Sequence, residues 1–219
     1  MIINICFHGI GAPQRELEPD EDGYWISPEL FGEVLDHFGG RPDVRFSFDD
    51  GNRSDLEHGL DGLLRRGLTA TFFPVAARLD QPGSLAGDDL RTLGRAGMAI
   101  GSHGMDHRPW RGMDDLELDR ELILARGLLG EAAGRRITEA ALPLGRYDRR
   151  VLARLRTLGY RRVFTSDRAP TTEDAWLQPR YSVRGTDTID LLQRELFGPR
   201  TLAQRARSRA AMLYKSARP

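Results

Sequence analysis

The chain has 219 residues, 40% of them hydrophobic, with 32 Lys and Arg against 32 Asp and Glu. That length suits one domain with a real core, and a net charge of zero gives no general argument for nucleic acid or another strongly charged partner. The single cysteine, Cys6, excludes an intrachain disulfide and a Cys-rich zinc site, so any metal has to be held by histidines and carboxylates.

The opening stretch MIINICFHGIGAPQ has no basic n-region, and its apolar run, IINICF (2–7), reads as a buried strand rather than a signal peptide. Residues 28–38 follow as a helix, with Ser27 as N-cap and Pro28 at the first helical position. VRFSF (44–48) is a second strand. Residues 54–66 carry Leu56, Leu60, Leu63 and Leu64 at helical spacing and stop at Gly67. TATFFPVA (69–76) is a strand, QPGSLAGD (81–88) a surface loop, 88–95 a helix ending at Gly97, and MAIGS (98–102) a strand. A long amphipathic helix over 114–129, the strand EAALP (139–143), a helix over 149–158 and the strand RRVFTS (161–166) complete the alternation.

Alternating strands and helices argue for an α/β fold with a mainly parallel sheet, and a barrel explains the repetition best. Six or seven strands would make it a short or distorted version of the eight-stranded type, in which reactive residues gather at the carboxyl ends of strands. No run approaches the roughly 20 apolar residues of a membrane-spanning helix. The expected domain is 1–193. Beyond it, 194–219 is a basic tail in which Arg194, Arg200, Arg205, Arg207, Arg209, Lys215 and Arg218 face one acid, Glu195. Such a tail reads as a solvated helix, or as a peripheral contact with anionic lipid worth about 1 kcal/mol per basic residue near the surface.

The ionisable residues fall where a barrel would use them. His8 follows the first strand, Asp49 and Asp50 the second, and His103 the strand MAIGS. In SHGMDH, His103 and His107 are four apart, so one helical turn would aim both imidazoles the same way. A catalytic divalent ion needs about three protein ligands and an open position. His103, His107 and one carboxylate of FDDG would supply them, leaving the other carboxylate as a base, because neighbours leaving a strand point different ways. Taken singly, each signal has a plainer reading. DDG is a common turn, His37 and His58 read as helix-surface residues, and Cys6 as a small buried one.

Taken in order, FSFDDGN, TATFFPVA, GMAIGSHGMDH and ALPLG resemble the polysaccharide deacetylase family, the NodB-homology or carbohydrate esterase family four, over roughly residues 1–185. The resemblance implies a distorted (β/α) barrel of about seven strands and hydrolysis of an N-acetyl, sometimes O-acetyl, group on a sugar or glycan. It makes Asp49 the general base and Asp50, His103 and His107 the ligands of a divalent metal ion, usually Zn2+. Two departures stand out. ALPLG has Ala141 where the family has an Arg, and no histidine follows His107 to act as the late general acid. Arg180, in LQPRYSV, is the candidate replacement guanidinium.

CFHGIG followed by GYWISPELF is similar to a branch of the family with permuted motifs, which includes poly-N-acetylglucosamine deacetylases and brings its acid from the first strand; by that resemblance His8 is the general acid. Trp110 and Tyr147 either line a sugar cleft or pack, and Asp167 either orients a neighbour or caps a loop. The expected protein is therefore a cytoplasmic enzyme, in one version at the inner face of the membrane, acting on an N-acetylated sugar or glycan and not on nucleic acid. The alternatives are a metal-dependent amidase on a non-sugar amide and a catalytically impaired glycan-binding relic.

Overall fold

Strand β1 (Ile3–Phe7) is buried along its whole length, yet its two faces differ. Ile3, Ile5 and Phe7 join the main apolar core, whereas Asn4 between them donates to Gln178 Oε1 at 3.0 Å. Alternate residues of a strand point to opposite faces, so β1 shows helices its apolar side and a polar interior its other side. A short parallel pair follows, β2 (Gly9–Ile10) and β3 (Trp25–Ile26). Helix α1 (Pro28–Phe38) starts as its sequence predicts: Ser27 Oγ accepts from the Leu30 N–H at 3.1 Å and Pro28 sits in the first turn.

Strand β4 (Val44–Asp50) repeats the division. Phe46 and Phe48 belong to the apolar core, while Ser47 and Asp49 meet the same buried guanidinium, Arg180. The Phe48 and Phe72 rings stack at 4.5 Å and Phe7 meets Phe31 edge-on at 5.0 Å; burying a ring of this size contributes about 1.5–3 kcal/mol. A π-helical turn (Asp55–Leu60) runs into α2 (Asp61–Leu64), followed by β5 (Ala70–Pro74), α3 (Gly87–Arg95) and β6 (Ala99–Ile100). Next come α4 (Asp115–Asp119), a second π-helical turn (Arg120–Leu124), α5 (Ala125–Ala133), β7 (Glu139–Ala141) and α6 (Arg149–Thr157). Strands β8 (Arg162–Thr165) and β9 (Leu177–Ser182) and helix α7 (Ile189–Phe197) complete the domain.

Seven of these strands form one parallel sheet in the order β6-β5-β4-β1-β9-β8-β7. Just beyond β6, Ser102 bridges Ala140 of β7 in parallel, which brings the two outer strands together into a nearly closed, distorted (β/α) barrel. This computed structural model describes residues 1–199, 210 and 212–218.

Four elements lie outside the segments read from the sequence: the short strands β2 and β3, then β9 and α7. β9 reads LQPRYS because its Gln178 and Arg180 face the polar interior, and α7 runs through the expected boundary at 193/194. Of the basic tail, Arg200, Arg205, Arg207 and Arg209 lie outside the described residues. Lys215 pairs with Asp167, and Arg218 donates to the Tyr147 carbonyl at 2.8 Å. Among the described residues, no helix is long and apolar enough to cross a membrane.

Each π-helical turn carries one buried acid, Asp55 or Glu121. Neither Asp55 carboxylate oxygen has a hydrogen-bond partner among the described residues. Burial, reinforced by the charges of Asp50 and Asp49, raises its pKa well above the ordinary value. The contribution of such an acid to folding is fully present below its unfolded pKa and is lost as pH rises through the folded one. Asp55→Asn keeps the shape without the charge. It is expected to raise the melting temperature at neutral pH, with the gain vanishing toward about pH 4; a fall at neutral pH would contradict this.

Candidate active site

The carboxyl ends of β1, β4 and β9 and the loop after β6 surround one cavity of about 540 Å³. His8, Asp49, Asp50, His103, His107 and Arg180 all line it. The six candidates read from the sequence therefore reach the same space.

Asp49 is 3% exposed and is held from below by Arg180, which is 2% exposed. The guanidinium meets both carboxylate oxygens at 2.6 Å and also donates to Ser47 Oγ at 3.1 Å. Burial, the largest single influence, would raise the Asp49 pKa, but the Arg180 charge and hydrogen bonds together with the fields of His103 and His8 outweigh it, so the group sits below the usual carboxylate value. Each oxygen keeps a lone pair beyond the one Arg180 uses. The guanidinium that meets Asp49 thus comes from β9. At Ala141 it is the main-chain oxygen that faces the site, accepting from His103 Nδ1 at 2.9 Å.

Asp50 is built differently. It leaves the strand with a left-handed backbone, φ 74°, directly before Gly51 at φ 75°, a conformation that costs a non-glycine residue about 1 kcal/mol or more. The turn swings its carboxylate away from Arg180. Both its oxygens are buried without a hydrogen-bond partner among the described residues. Oδ1 instead faces His107 Nε2 at 3.3 Å and His103 Nε2 at 3.7 Å. Burial opposes its ionisation, but the field of His107, His8 and His103 reverses the balance and holds the carboxyl well below the usual range.

The histidines present lone pairs to that carboxylate. A main-chain carbonyl can only accept, so His103 Nδ1 carries the proton toward Ala141 and Nε2 is left free. Burial pushes the His103 pKa down to about 4, which leaves the ring neutral near pH 7. His107 Nδ1 meets Glu18 Oε2 at 2.6 Å, freeing its own Nε2 in the same way. The donor atoms of Asp50, His103 and His107 lie within 4.8 Å of one another. An orphaned buried carboxylate facing two imidazole lone pairs fits a divalent cation. A second trio, Cys6, His8 and Asp49, is equally close but does not fit, because Arg180 occupies Asp49 and burial pushes the Cys6 thiol up.

The expected helical turn over SHGMDH does not form. Residues 103–107 are an irregular loop with Gly104 at φ 83° and His107 at φ 55°. Glu121, from the second π-helical turn, holds this loop by accepting from the Met105 and Asp106 N–H groups at 2.6 and 3.3 Å and from Trp110 Nε1 at 3.1 Å. A Cβ at residue 104 would sit 2.3 Å from Glu121, so the close approach requires glycine. Glu121→Ala strands two buried donors and a half-buried third and is expected to cost about 2 kcal/mol or more, read from denaturant melts.

The His8 ring packs at a tilt against Tyr24, with centroids 5.0 Å apart, and its Nδ1 has no hydrogen-bond partner among the described residues. Trp110 and Tyr147 are fully buried in a second apolar cluster and do not line the cavity. Asp167 accepts from the Tyr147 hydroxyl at 2.8 Å. His37 and His58 are exposed on helical segments. Glu18, Arg78, Glu121 and Asp55 escaped the sequence reading. Only Glu18 carried a signal, since the acid-rich stretch ELEPDE follows the carboxyl end of β1.

The sequence profile described as polysaccharide deacetylase matches residues 39–163, more than half of the chain. That span contains Asp49, Asp50, His103 and His107 but neither His8 nor Arg180. The chain is 23% identical over 141 residues to the Bacillus subtilis protein YxkH, whose name refers to the same family. The match covers 64% of this chain and 50% of YxkH, so the chain spans about half the length of that curated relative. Among solved structures, IcaB from Ammonifex degensii superposes with a TM-score of 0.72 at 21% identity, covering 90% of this chain and 96% of that one. A de-N-acetylase from Aggregatibacter actinomycetemcomitans gives 0.74 at 14% identity, covering 89% and 99%. At such identities the likeness is one of fold.

Proposed function

The chain belongs to the polysaccharide deacetylase family, and on that premise we propose that it is a metal-dependent hydrolase removing an N-acetyl group from a sugar or glycan. The observation that carries the reading is the separation of two adjacent carboxylates. Asp49 is fixed by Arg180, while Asp50, with no hydrogen-bond partner among the described residues, faces the Nε2 atoms of two imidazoles. The likeness to the Aggregatibacter de-N-acetylase supports the choice of an amide bond.

Asp50, His103 and His107 would hold the cation, and one carboxylate with two imidazoles suits zinc and leaves a position open. A zinc ion there supplies Lewis-acid polarisation of the acetyl carbonyl and of water. Asp49 takes the proton of the attacking water, and Arg180 keeps that carboxylate ionised and aimed. His8 lies across from it, with ring nitrogen and Asp49 oxygen within 4.8 Å. It gives a proton to the departing amine as the C–N bond breaks, so acetate and the free amino sugar leave.

The test combines zinc analysis with acetate release from an N-acetylglucosamine oligosaccharide and from a simple non-sugar amide. Asp49→Asn is expected to slow release about 10²–10⁴-fold, and His8→Ala about 10²-fold, as for general acids and bases, with zinc content unchanged in both. Full activity in His8→Ala removes the acid role. Release from the simple amide alone would replace the sugar reading with a general amidase.

A further inference from the structure

We infer that Glu18 is a positioning residue of the cation site, and that the irregular loop over residues 11–21 thereby sets how tightly the ion is held. The inference rests on the metal reading of Asp50, His103 and His107. Glu18 is separated from His107 by 89 positions and belongs to no regular element, yet its Oε2 lies 2.6 Å from His107 Nδ1. Its other oxygen accepts from Arg78, which follows β5. Arg78 in turn places NH1 3.9 Å from Asp50 Oδ1, and that nitrogen has no hydrogen-bond partner among the described residues. The charges close a ring: Asp50 faces His107, His107 donates to Glu18, Glu18 pairs with Arg78, and Arg78 returns to Asp50.

The two histidines are therefore oriented by unlike means. His103 is set by a carbonyl of the barrel wall, which no side-chain change removes. His107 depends on a carboxylate that is 42% exposed, so its anchor is only as firm as the loop that carries it. That loop is tied down in turn. The Glu18 N–H donates to Glu21 Oε2 at 2.8 Å, Glu21 pairs with Arg15, and Arg15 Nε donates to Asn52 Oδ1 at 2.9 Å in the FDDGN turn. Asn52 Nδ2 then reaches the His8 carbonyl at 3.2 Å. Glu18, Asp20 and Glu21 also line the cavity, so one loop both aims a ligand and forms a wall that substrate must pass.

A carboxylate accepting from Nδ1–H fixes the tautomer and raises the basicity of Nε2, and losing such a partner typically costs 10–100-fold in metal affinity. Zinc dissociation constants would be measured by competition with a chelating dye for the wild type, Glu18→Ala and Glu18→Gln. Glu18→Ala is expected to weaken zinc by about 10–100-fold, and Glu18→Gln, whose amide oxygen still accepts, to recover part of the loss. Metal-free protein labelled with ¹⁵N-histidine gives a second readout. His107 should show the Nδ1–H tautomer in the wild type and lose that preference in Glu18→Ala, while melting curves report whether the fold is intact. A dissociation constant for Glu18→Ala within about twofold of wild type, with an unchanged His107 tautomer, overturns the inference and leaves the metal reading standing. A wild type that binds no zinc overturns both.

Discussion

Replacing Arg180 with methionine is expected to cost about 3–5 kcal/mol of folding stability, because it strands the Asp49 carboxylate in the barrel interior without its partner. The pair is buried on both sides and joined by two bonds of 2.6 Å, and no other Arg or Lys among the described residues forms an ion pair with Asp49. Arg180→Lys should not rescue it fully, since an ammonium is a point charge and cannot meet both oxygens in the plane of the guanidinium fork. Asp49→Leu in the methionine background removes the stranded charge and should restore much of the loss, because an apolar pair of similar volume often matches a buried ion pair. Urea melts of the three variants decide the matter. A loss below about 1 kcal/mol for Arg180→Met would mean that Asp49 is solvated as an ordinary surface carboxylate is.

Asp50→Ala is expected to abolish the response to zinc. A ligand that binds only the folded state stabilises it by about 4 kcal/mol at a thousandfold excess over its dissociation constant. Wild-type protein should therefore melt at a clearly higher temperature with zinc than with a chelator, and Asp50→Ala should melt alike in both. Asp49→Asn should keep the zinc shift while losing acetate release, which separates ion holding from proton transfer in two adjacent residues. A zinc shift that survives Asp50→Ala would move the ion elsewhere. A shift lost in Asp49→Asn would merge the two roles.

Much of this architecture was visible in short-range pattern. VRFSFDD alternates, and the alternation alone sends Phe46 and Phe48 to the core and Ser47 and Asp49 to the interior. The order of the motifs alone groups His8, Asp49, Asp50, His103 and His107, which line one cavity. The helical reading of SHGMDH went astray because spacing reports only separation along the chain. Glu121, bonding to Met105 and Asp106 from 16 and 15 positions away, imposes a loop on a stretch whose local pattern also permits a turn of helix.

By itself, then, the sequence determined most of the elements and the donor types, since these follow from periodicity, turn residues and the kinds of side chain present. Only the tertiary structure decided who partners whom. β9, though last in the chain, enters the sheet between β1 and β8, and this brings Arg180 to Asp49 across 131 positions. The loop over residues 11–21 folds back to bring Glu18 to His107 across 89. Such pairings depend on strand order and on the path of an aperiodic loop, and neither leaves a repeat in the residues that it joins.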